Sequence, residues 1–357
     1  MTRILAILTV RNEAAFLIDW LAHHRAAGVT DVLVFSNDCA DTTAAMLDRL
    51  AELGWLTHVV NDGPHRKSAQ WDALTRANDH PLKAEADWIL PVDIDEFVNV
   101  HAGDGTLPAL LAALPGATAI PLTWRLFGNA GIARFEDRPV TEVFTRAAPA
   151  LIGWPWRASL FKTLFRNDGT YARLGVHRPR KPNPDRLGTA RWFDGSGREL
   201  SDLFRSARIF SPLGQDNFGL VQLNHYALGA MESYIVKVDR GRANRTGSAF
   251  DMSYWVERNL CSEPDSSIAR LRPRSDPLRT GLRADPVLGP LHAAAVAWRR
   301  ARFEALMLQE PYRSLFARLL MAPPSRPVGA EGTRFLTEFA TRAARAGAPD
   351  AADGEDG

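Results

Sequence analysis

An α/β protein, built on a mostly parallel sheet flanked by helices, is expected for this 357-residue chain on three grounds. Apolar runs of strand length, Ile4 to Val10, Val32 to Phe35, Leu56 to Val60 and Trp88 to Val92, alternate with segments whose apolar residues recur at helical spacing. The first run is nearly continuous, the pattern of a strand covered on both faces. Three of the runs end in polar clusters, Arg11-Asn12-Glu13, Asn37-Asp38 and Asp93-Ile94-Asp95, and ligands of open parallel sheets gather at the carboxyl ends of strands. One crevice is therefore expected to hold all three clusters.

Taken in order, the first strand is followed by a helix carrying Phe16, Leu17, Trp20, Leu21 and His24, with Gly28 as its stop. The second strand breaks at Ser36-Asn37-Asp38, after which Asp41 caps a helix bearing Met46, Leu47, Leu50 and Leu53 up to Gly54. A third strand, the loop Asn61-Asp62-Gly63-Pro64 and a helix from Lys67 to Asn78 lead into the strand at Trp88. Past a cap at Asp104-Gly105-Thr106 come a short helix, Leu107 to Leu114, and another strand, Ala117 to Leu122. The stretch from Trp124 to Pro139 is rich in aromatics, Gly and Arg, as in a region shaped to a ligand, although packing is the commoner role for a lone Trp. Val221 to Tyr226 is strand-like. Tyr254 to Leu271 reads as helix, Arg270 to Pro290 as a Pro- and Arg-rich connection, Val287 to Met321 as one or two helices, and Thr333 to Arg345 as a last helix. The small, acidic residues 346–357 are expected to be disordered.

With 46% hydrophobic and 24% charged residues, the chain can bury a sizeable core and has room for about two domains. Its 43 basic and 41 acidic residues leave a net charge of +2, too little to recruit nucleic acid or an anionic membrane by a global field. Cys39 and Cys261 are too few for a disulfide framework or a zinc site, which suits the cytoplasm. The apolar opening ends at Arg11 and Glu13 without a cleavage site, so it reads as a strand and not a signal peptide. No apolar run is long enough to span a bilayer.

Asp93 and Asp95 carry the chemistry. Two apart on an extended backbone, they project to one side and can converge on a divalent cation, with no Lys or Arg adjoining them in sequence. Oxygen ligands select a hard ion, Mn²⁺ or Mg²⁺, which completes its shell with substrate phosphates, so a diphosphate-bearing substrate is expected. Asp38 suits a ribose or base edge, or equally its own turn. Asn12 and Glu13 read as a cap and a first-turn acid as readily as ligand contacts. No Gly-rich phosphate fingerprint is present, which leaves the diphosphate to the metal.

The strand followed by Arg-Asn-Glu and a helix, the SNDCADTT stretch and the DIDEF motif, in this order, resemble a glycosyltransferase of the GT-A fold. The resemblance is to the family 2 branch that is similar to family 92, whose members read roughly Asn-Glu, a Trp-Leu-x-His-His helix, then Asp-x-Asp-Glu-Phe. Here these are Asn12, Glu13, Trp20-Leu21-Ala22-His23-His24 and Asp93 to Phe97. The resemblance implies a three-layer fold and metal-dependent transfer of a sugar, of hexose type, from a nucleotide sugar to the hydroxyl of a glycan or other acceptor. Surface polysaccharide or glycan synthesis is the implied setting. Nucleotide contacts are expected at Arg11, Asn12, Glu13, Asn37, Asp38, Lys67 and Asp93, and metal contacts at Asp93 and Asp95.

Four later elements extend the resemblance. Trp124-Arg125-Leu126-Phe127-Gly128 implies acceptor or donor-sugar contacts near Trp124 and Gly128. Gly175-Val176-His177-Arg178-Pro179, inside a locally basic stretch from Arg157 to Arg191, makes His177 a candidate site residue. Asn224-His225-Tyr226 makes His225 a third metal ligand, an imidazole that suits Mn²⁺ better than Mg²⁺. Glu232, Tyr234, Lys237, Arg240 and Gly241 match a family helix on which Lys237 and Arg240 share a face, able to hold a diphosphate or simply solvated. The family is held to invert, which requires a base; Asp216, Glu232, Asp265 and His177 are available and the sequence does not choose.

The expected division is a catalytic unit over 1–245, with a nucleotide-binding half 1–125 and an acceptor-side half 126–245, a helical extension over 246–345 and the tail 346–357. Peripheral membrane contact by the extension is a weaker expectation. A non-catalytic nucleotide-sugar-binding protein of polysaccharide assembly is the rival reading. A phosphotransferase of the haloacid-dehalogenase kind, which also places Asp-x-Asp after a strand, fits less well because Glu96-Phe97 follows at mid-domain. A nucleic-acid-binding role has no motif to support it.

Overall fold

The computed structural model describes residues 2–241 and 250–346, so the expected boundary at 245 and the tail from 347 onward lie outside the described residues. Eight strands form one sheet: β1 (Ile4–Val10), β2 (Asp31–Ser36), β3 (Thr57–Val60), β4 (Trp88–Pro91), β5 (Glu96–Val100), β6 (Ala119–Leu126), β7 (Phe161–Arg166) and β8 (Val221–His225). Their order across the sheet is β3-β2-β1-β4-β7-β6-β8-β5. The pairs β2·β3, β1·β2, β1·β4 and β6·β8 are parallel. Antiparallel pairing joins β7 to both β4 and β6, and β5 to β8. The parallel layer thus covers the first four strands, and the later half is mixed.

The even and odd positions of β1 explain its continuous apolar run. Ile4, Ala6, Leu8 and Val10 belong to the core on one face, and Leu5 and Ile7 to the core on the other. Helices α1 (Ala14–Ala26), α2 (Thr43–Glu52) and α3 (Ala69–Asn78) follow the first three strands. Trp20, Met46, Leu47 and Leu50 join the first core; Ala73, Leu74 and Ala77 join the second. Gly28 adopts φ 99°, the left-handed backbone that ends α1. Helix α4 (Leu107–Ala113) is capped by Thr106, whose hydroxyl accepts the Ala109 amide at 3.3 Å.

The link of residues 92–95 shapes the sheet. It leaves β4 and enters β5 at the far edge, with β7, β6 and β8 between. Four steps of ~4.8 Å would span ~19 Å on a flat sheet, whereas Pro91 to Glu96 reaches ~17 Å at full extension. The link is not extended: Glu96 N donates to Asp93 O at 3.1 Å. The sheet therefore curls, and the curl brings the link over the strand ends.

Beyond β8 lie α5 (Met231–Arg240), α6 (Met252–Arg258), α7 (Arg272–Arg283), α8 (Leu288–Met307), α9 (Glu310–Met321) and α10 (Ala330–Arg345). Two expectations are corrected here. The helix from Tyr254 to Leu271 stops at Arg258, and Pro264 could not have carried it further; Glu263–Pro264 instead pairs with Arg146–Ala147, and Ser267–Leu271 is a 3₁₀ turn. The supposed connection from Arg270 to Pro290 is mostly α7, held by Arg279 to Glu142 and Arg283 to Asp137 despite Pro277 in its interior. Helices α7 and α8 pack on α1, α8 also on α2, and α8 and α9 on α5. Among the described residues no helix is long and apolar enough to cross a membrane.

Candidate active site

The curl and the strand ends define one cleft of about 340 Å³. Arg11 follows β1, Asn37 and Asp38 follow β2, Asp93 and Asp95 lie on the link, His225 closes β8, and Lys237 and Arg240 reach in from α5. Asp38 takes φ 46°, and its carboxylate accepts the Gly63 amide at 3.3 Å. Burial alone would raise this carboxyl, but the Gly63 and Asn37 hydrogen bonds and the Arg11 charge together hold it below the ordinary range.

Asp93 is fixed on every side. Gln70 Nε2 donates to Oδ1 and Lys162 Nζ to Oδ2, each at 2.9 Å, and its own amide donates to Glu96 Oε2 at 2.9 Å. Lys162, on β7, is 1% exposed and lies 3.9 Å from Glu96. Trp124 Nε1 donates to the other Glu96 oxygen at 2.6 Å. Burial pushes Glu96 up to about 8, against the nearby Lys162 charge. Lys162 itself stays cationic, because Asp93 and Glu96 outweigh its desolvation. The carboxylates that stand free of bases in sequence are thus met by lysines from 69 and 142 positions away.

Asp95 has different company. Lys237 Nζ donates to Oδ2 at 2.7 Å and to Ala227 O at 2.7 Å, while His225 Nε2 stands 3.7 Å from Oδ1. Burial opposes ionisation, yet the Lys237 charge, hydrogen-bonded to it, holds Asp95 well below the carboxylate range. Burial keeps His225 neutral, its pKa below the usual value despite Asp95. The Trp124 ring packs 4.2 Å from the His225 ring.

The pair can be compared with the needs of a divalent ion. Two adjacent donors each ~2.1 Å from one octahedral ion lie ~3.0 Å apart, so Asp95 Oδ1 and His225 Nε2, 3.7 Å apart, would close by ~0.7 Å to share one. An ionised carboxylate and a neutral imidazole are the protonation states a metal needs. Asp93, expected as a third ligand, is committed to Gln70 and Lys162, and among the described residues no three His, Cys, Asp or Glu side chains converge.

The remaining expected residues divide clearly. His177 lines the cleft; its Nδ1 lies 3.0 Å from Phe161 O, and burial and the Lys162 charge push it down to about 4. Glu232 accepts the Phe135 amide, Asp265 is held by Gln222 and Ser267, and Asp216 caps the Phe218 amide, none of them on the cleft wall. Asn12 accepts the amides of Ala40 and Asp41, and Glu13 forms a buried ion pair with Arg240. Lys67 lies over the Trp71 ring and outside the cleft lining. Trp124 lines the cleft and also holds Glu96 and packs on His225. At Gly128 an added Cβ would overlap Cys261 Sγ and come 2.7 Å from Leu260 O, so close packing explains this glycine.

Gln70, Glu96 and Lys162 are the site residues that sequence reasoning misses. Lys162 had a signal: in Phe161-Lys162-Thr163-Leu164-Phe165 it is the one charge in an otherwise strand-like run.

No protein-family model and no curated protein matches the chain. Among solved structures, residues 1–349 of S. aureus TarS, also solved in complex with UDP-GlcNAc, share 11% identity over 89% of both chains, with TM-scores of 0.32 and 0.31. Glucosyl-3-phosphoglycerate synthase from Mycobacterium tuberculosis, in complex with Mn²⁺, UDP and glucosyl-3-phosphoglycerate, shares 16% over 52% of this chain and 75% of its own, with a TM-score of 0.27. A mycobacterial protein shares 18% over 77% and 75%, with a TM-score of 0.31. Scores this low leave function to be argued from the chemistry of the site.

Proposed function

We propose that the chain is a glycosyltransferase of the GT-A kind, moving a sugar from a nucleotide sugar to an acceptor hydroxyl with inversion, in surface polysaccharide or glycan synthesis. One observation carries the reading: ionised Asp95 and neutral His225 face each other across 3.7 Å, beside Lys237, at the strand ends that also present Asp38. Asp38 suits the ribose hydroxyls at one end of the cleft. Asp93, locked by Lys162 and Gln70, presents a fixed acceptor beside it. A divalent cation, Mn²⁺ or Mg²⁺, held by Asp95 and His225 would supply positive charge where a diphosphate departs. Lys237, already placed against Asp95, offers the protein's own charge to the same group.

Inversion needs a base near the acceptor. Of the four residues considered, His177 alone lines the cleft. With Nδ1 donating to Phe161 O, Nε2 carries the lone pair, and a pKa of about 4 keeps it unprotonated at neutral pH. His177 is the base of this proposal, taking the acceptor proton as the hydroxyl attacks.

Thermal shifts and calorimetric titrations with UDP, GDP, CMP and dTDP, each with and without Mn²⁺, test the donor site. Transfer or hydrolysis of the matching nucleotide sugar separates an enzyme from a non-catalytic binder. A folded protein that binds none of the four nucleotides would end the proposal.

A further inference from the structure

A second recess opens beside the cleft. It shares Ile94, Asp95, Lys237 and Arg240 with the cleft but none of the residues around Asp38, and it holds about 70 Å³. One water needs ~10–15 Å³ by this measure, so the recess can take a group the size of a phosphate or carboxylate. Phe16 of α1, Phe135, Val140 and Leu228 give it an apolar wall.

Its charges do not balance. Lys237 pairs with Asp95, Arg240 with Glu13, and Arg138 with Glu136. Arg299 of α8 lines the same recess, is 7% exposed and has no carboxylate within ion-pair distance among the described residues. Its Nε and Nη2 donate to the Ser233 hydroxyl and carbonyl at 3.3 and 3.2 Å, leaving Nη1 without an acceptor among the described residues. The Phe16 and Phe135 rings, 4.6 and 5.6 Å from the guanidinium, hold it in place. Exposed Arg134 adds a second cation on the same wall, without a carboxylate partner among the described residues.

A buried cation without a counter-charge is costly unless a ligand supplies one. Burial, only partly opposed by the Asp41 charge beyond ion-pair distance, pushes Arg299 down to about 10, and Arg240, facing burial and the Arg299 charge, falls to the same value. We propose that this recess is an anion subsite for the acceptor: it takes a phosphate- or carboxylate-bearing group with an apolar neighbour, bound by Arg299 against Phe16 and Phe135. The word acceptor rests on the sugar-transfer reading; the anion site does not. An anion here would sit across Asp95 and Lys237 from the nucleotide end of the cleft.

The probe is 4-bromophenyl phosphate, titrated calorimetrically into wild type and Arg299→Gln, with 4-bromobenzoate and inorganic phosphate alongside. Gln keeps a hydrogen bond to Ser233 and removes the charge. The expected result is a loss of about 10-fold or more in affinity for the aryl phosphate in the variant, unchanged UDP affinity, and no displacement by UDP. The two aryl probes tell phosphate from carboxylate, and weaker binding of inorganic phosphate reports the apolar wall. Equal affinity in a folded variant, or displacement by UDP, overturns the subsite. Should the variant fail to fold, a wild-type crystal soaked in the probe decides: a bromine anomalous peak in the recess supports the subsite, and a peak only elsewhere refutes it. If UDP fails to bind wild type while the probe binds at Arg299, the sugar-transfer reading falls and the anion site stands.

Discussion

Replacing Lys162 with Met tests the buried charge cluster under the cleft. Met keeps the length of the stem and removes the cation that Asp93 and Glu96 share. At pH 6 Glu96, pushed up to about 8, is protonated in the folded protein, so the variant loses chiefly the contact to Asp93. The Asp93 side chain is 34% exposed, and solvent screening brings the cost to about 2 kcal/mol. At pH 9 the folded wild type ionises Glu96 beside Lys162. At 3.9 Å and an effective dielectric near 20, that attraction is ~4 kcal/mol before desolvation. Some ~1–2 kcal/mol should survive, so the variant should lose ~3–4 kcal/mol at pH 9.

The sign follows from proton linkage. The folded-state pKa of Glu96 is raised from 4.5 to about 8, so folding takes up a proton between these values. Its contribution is full below about pH 4.5 and fades as pH rises towards 8. Without Lys162 the carboxyl rises further and the penalty extends to higher pH. Urea denaturation of both proteins at pH 6 and pH 9 measures the difference. An equal loss at the two pH values would refute the reasoning, because it would mean that Lys162 does not sense the charge on Glu96.

Three more outcomes are expected. Asp95→Asn should weaken Mn²⁺-dependent nucleotide binding by roughly 10- to 100-fold and, by leaving Lys237 without its carboxylate, should also lower the melting temperature; unchanged affinity in titrations with and without EDTA would remove Asp95 from the metal. His177→Gln should lower kcat far more than KM, and the wild-type rate should be flat from pH 6 to 8 and fall on acidification towards the His177 value of about 4; a rate insensitive to the substitution would remove the base. Gly128→Ala should cost ~2–3 kcal/mol by overpacking against Leu260 and Cys261, read as a lower urea midpoint, while the folded fraction binds nucleotide as wild type does.

The layered α/β order was legible because it is local. Ile4 to Val10 shows its two-sided burial in its own composition, and Gly28 marks the end of α1 with its own backbone preference. Strand partners are not local. Nothing within Glu96 to Val100 says that β5 pairs with β8 at the far edge, since the pairing depends on the whole sheet closing around. The same limit governs the site. Asp93, Asp95 and His225 stand out through spacing and a family resemblance, but the lysines that neutralise the two aspartates come from β7 and α5, and only the fold brings them in. Proline misleads in both directions: Pro264 could not continue a helix that periodicity extends, whereas α7 tolerates Pro277 because its arginines are anchored to Glu142 and Asp137.

The link of residues 92–95 works as a tie-rod between the middle of the sheet, at β4, and its far edge, at β5. It is the shortest covalent path from β4 to β5, so the curvature of the sheet and the placement of Asp93 and Asp95 cannot vary independently. Lengthening it by one residue would let the far edge relax away from β4 and would carry Asp95 away from His225. Any partner or ligand that opens or closes the far edge at β5 must therefore act on Asp95 directly, through the chain itself. The most changeable part of such a scaffold lies elsewhere, in the loops after β6 and the helices after α5, where length can drift without touching the two aspartates.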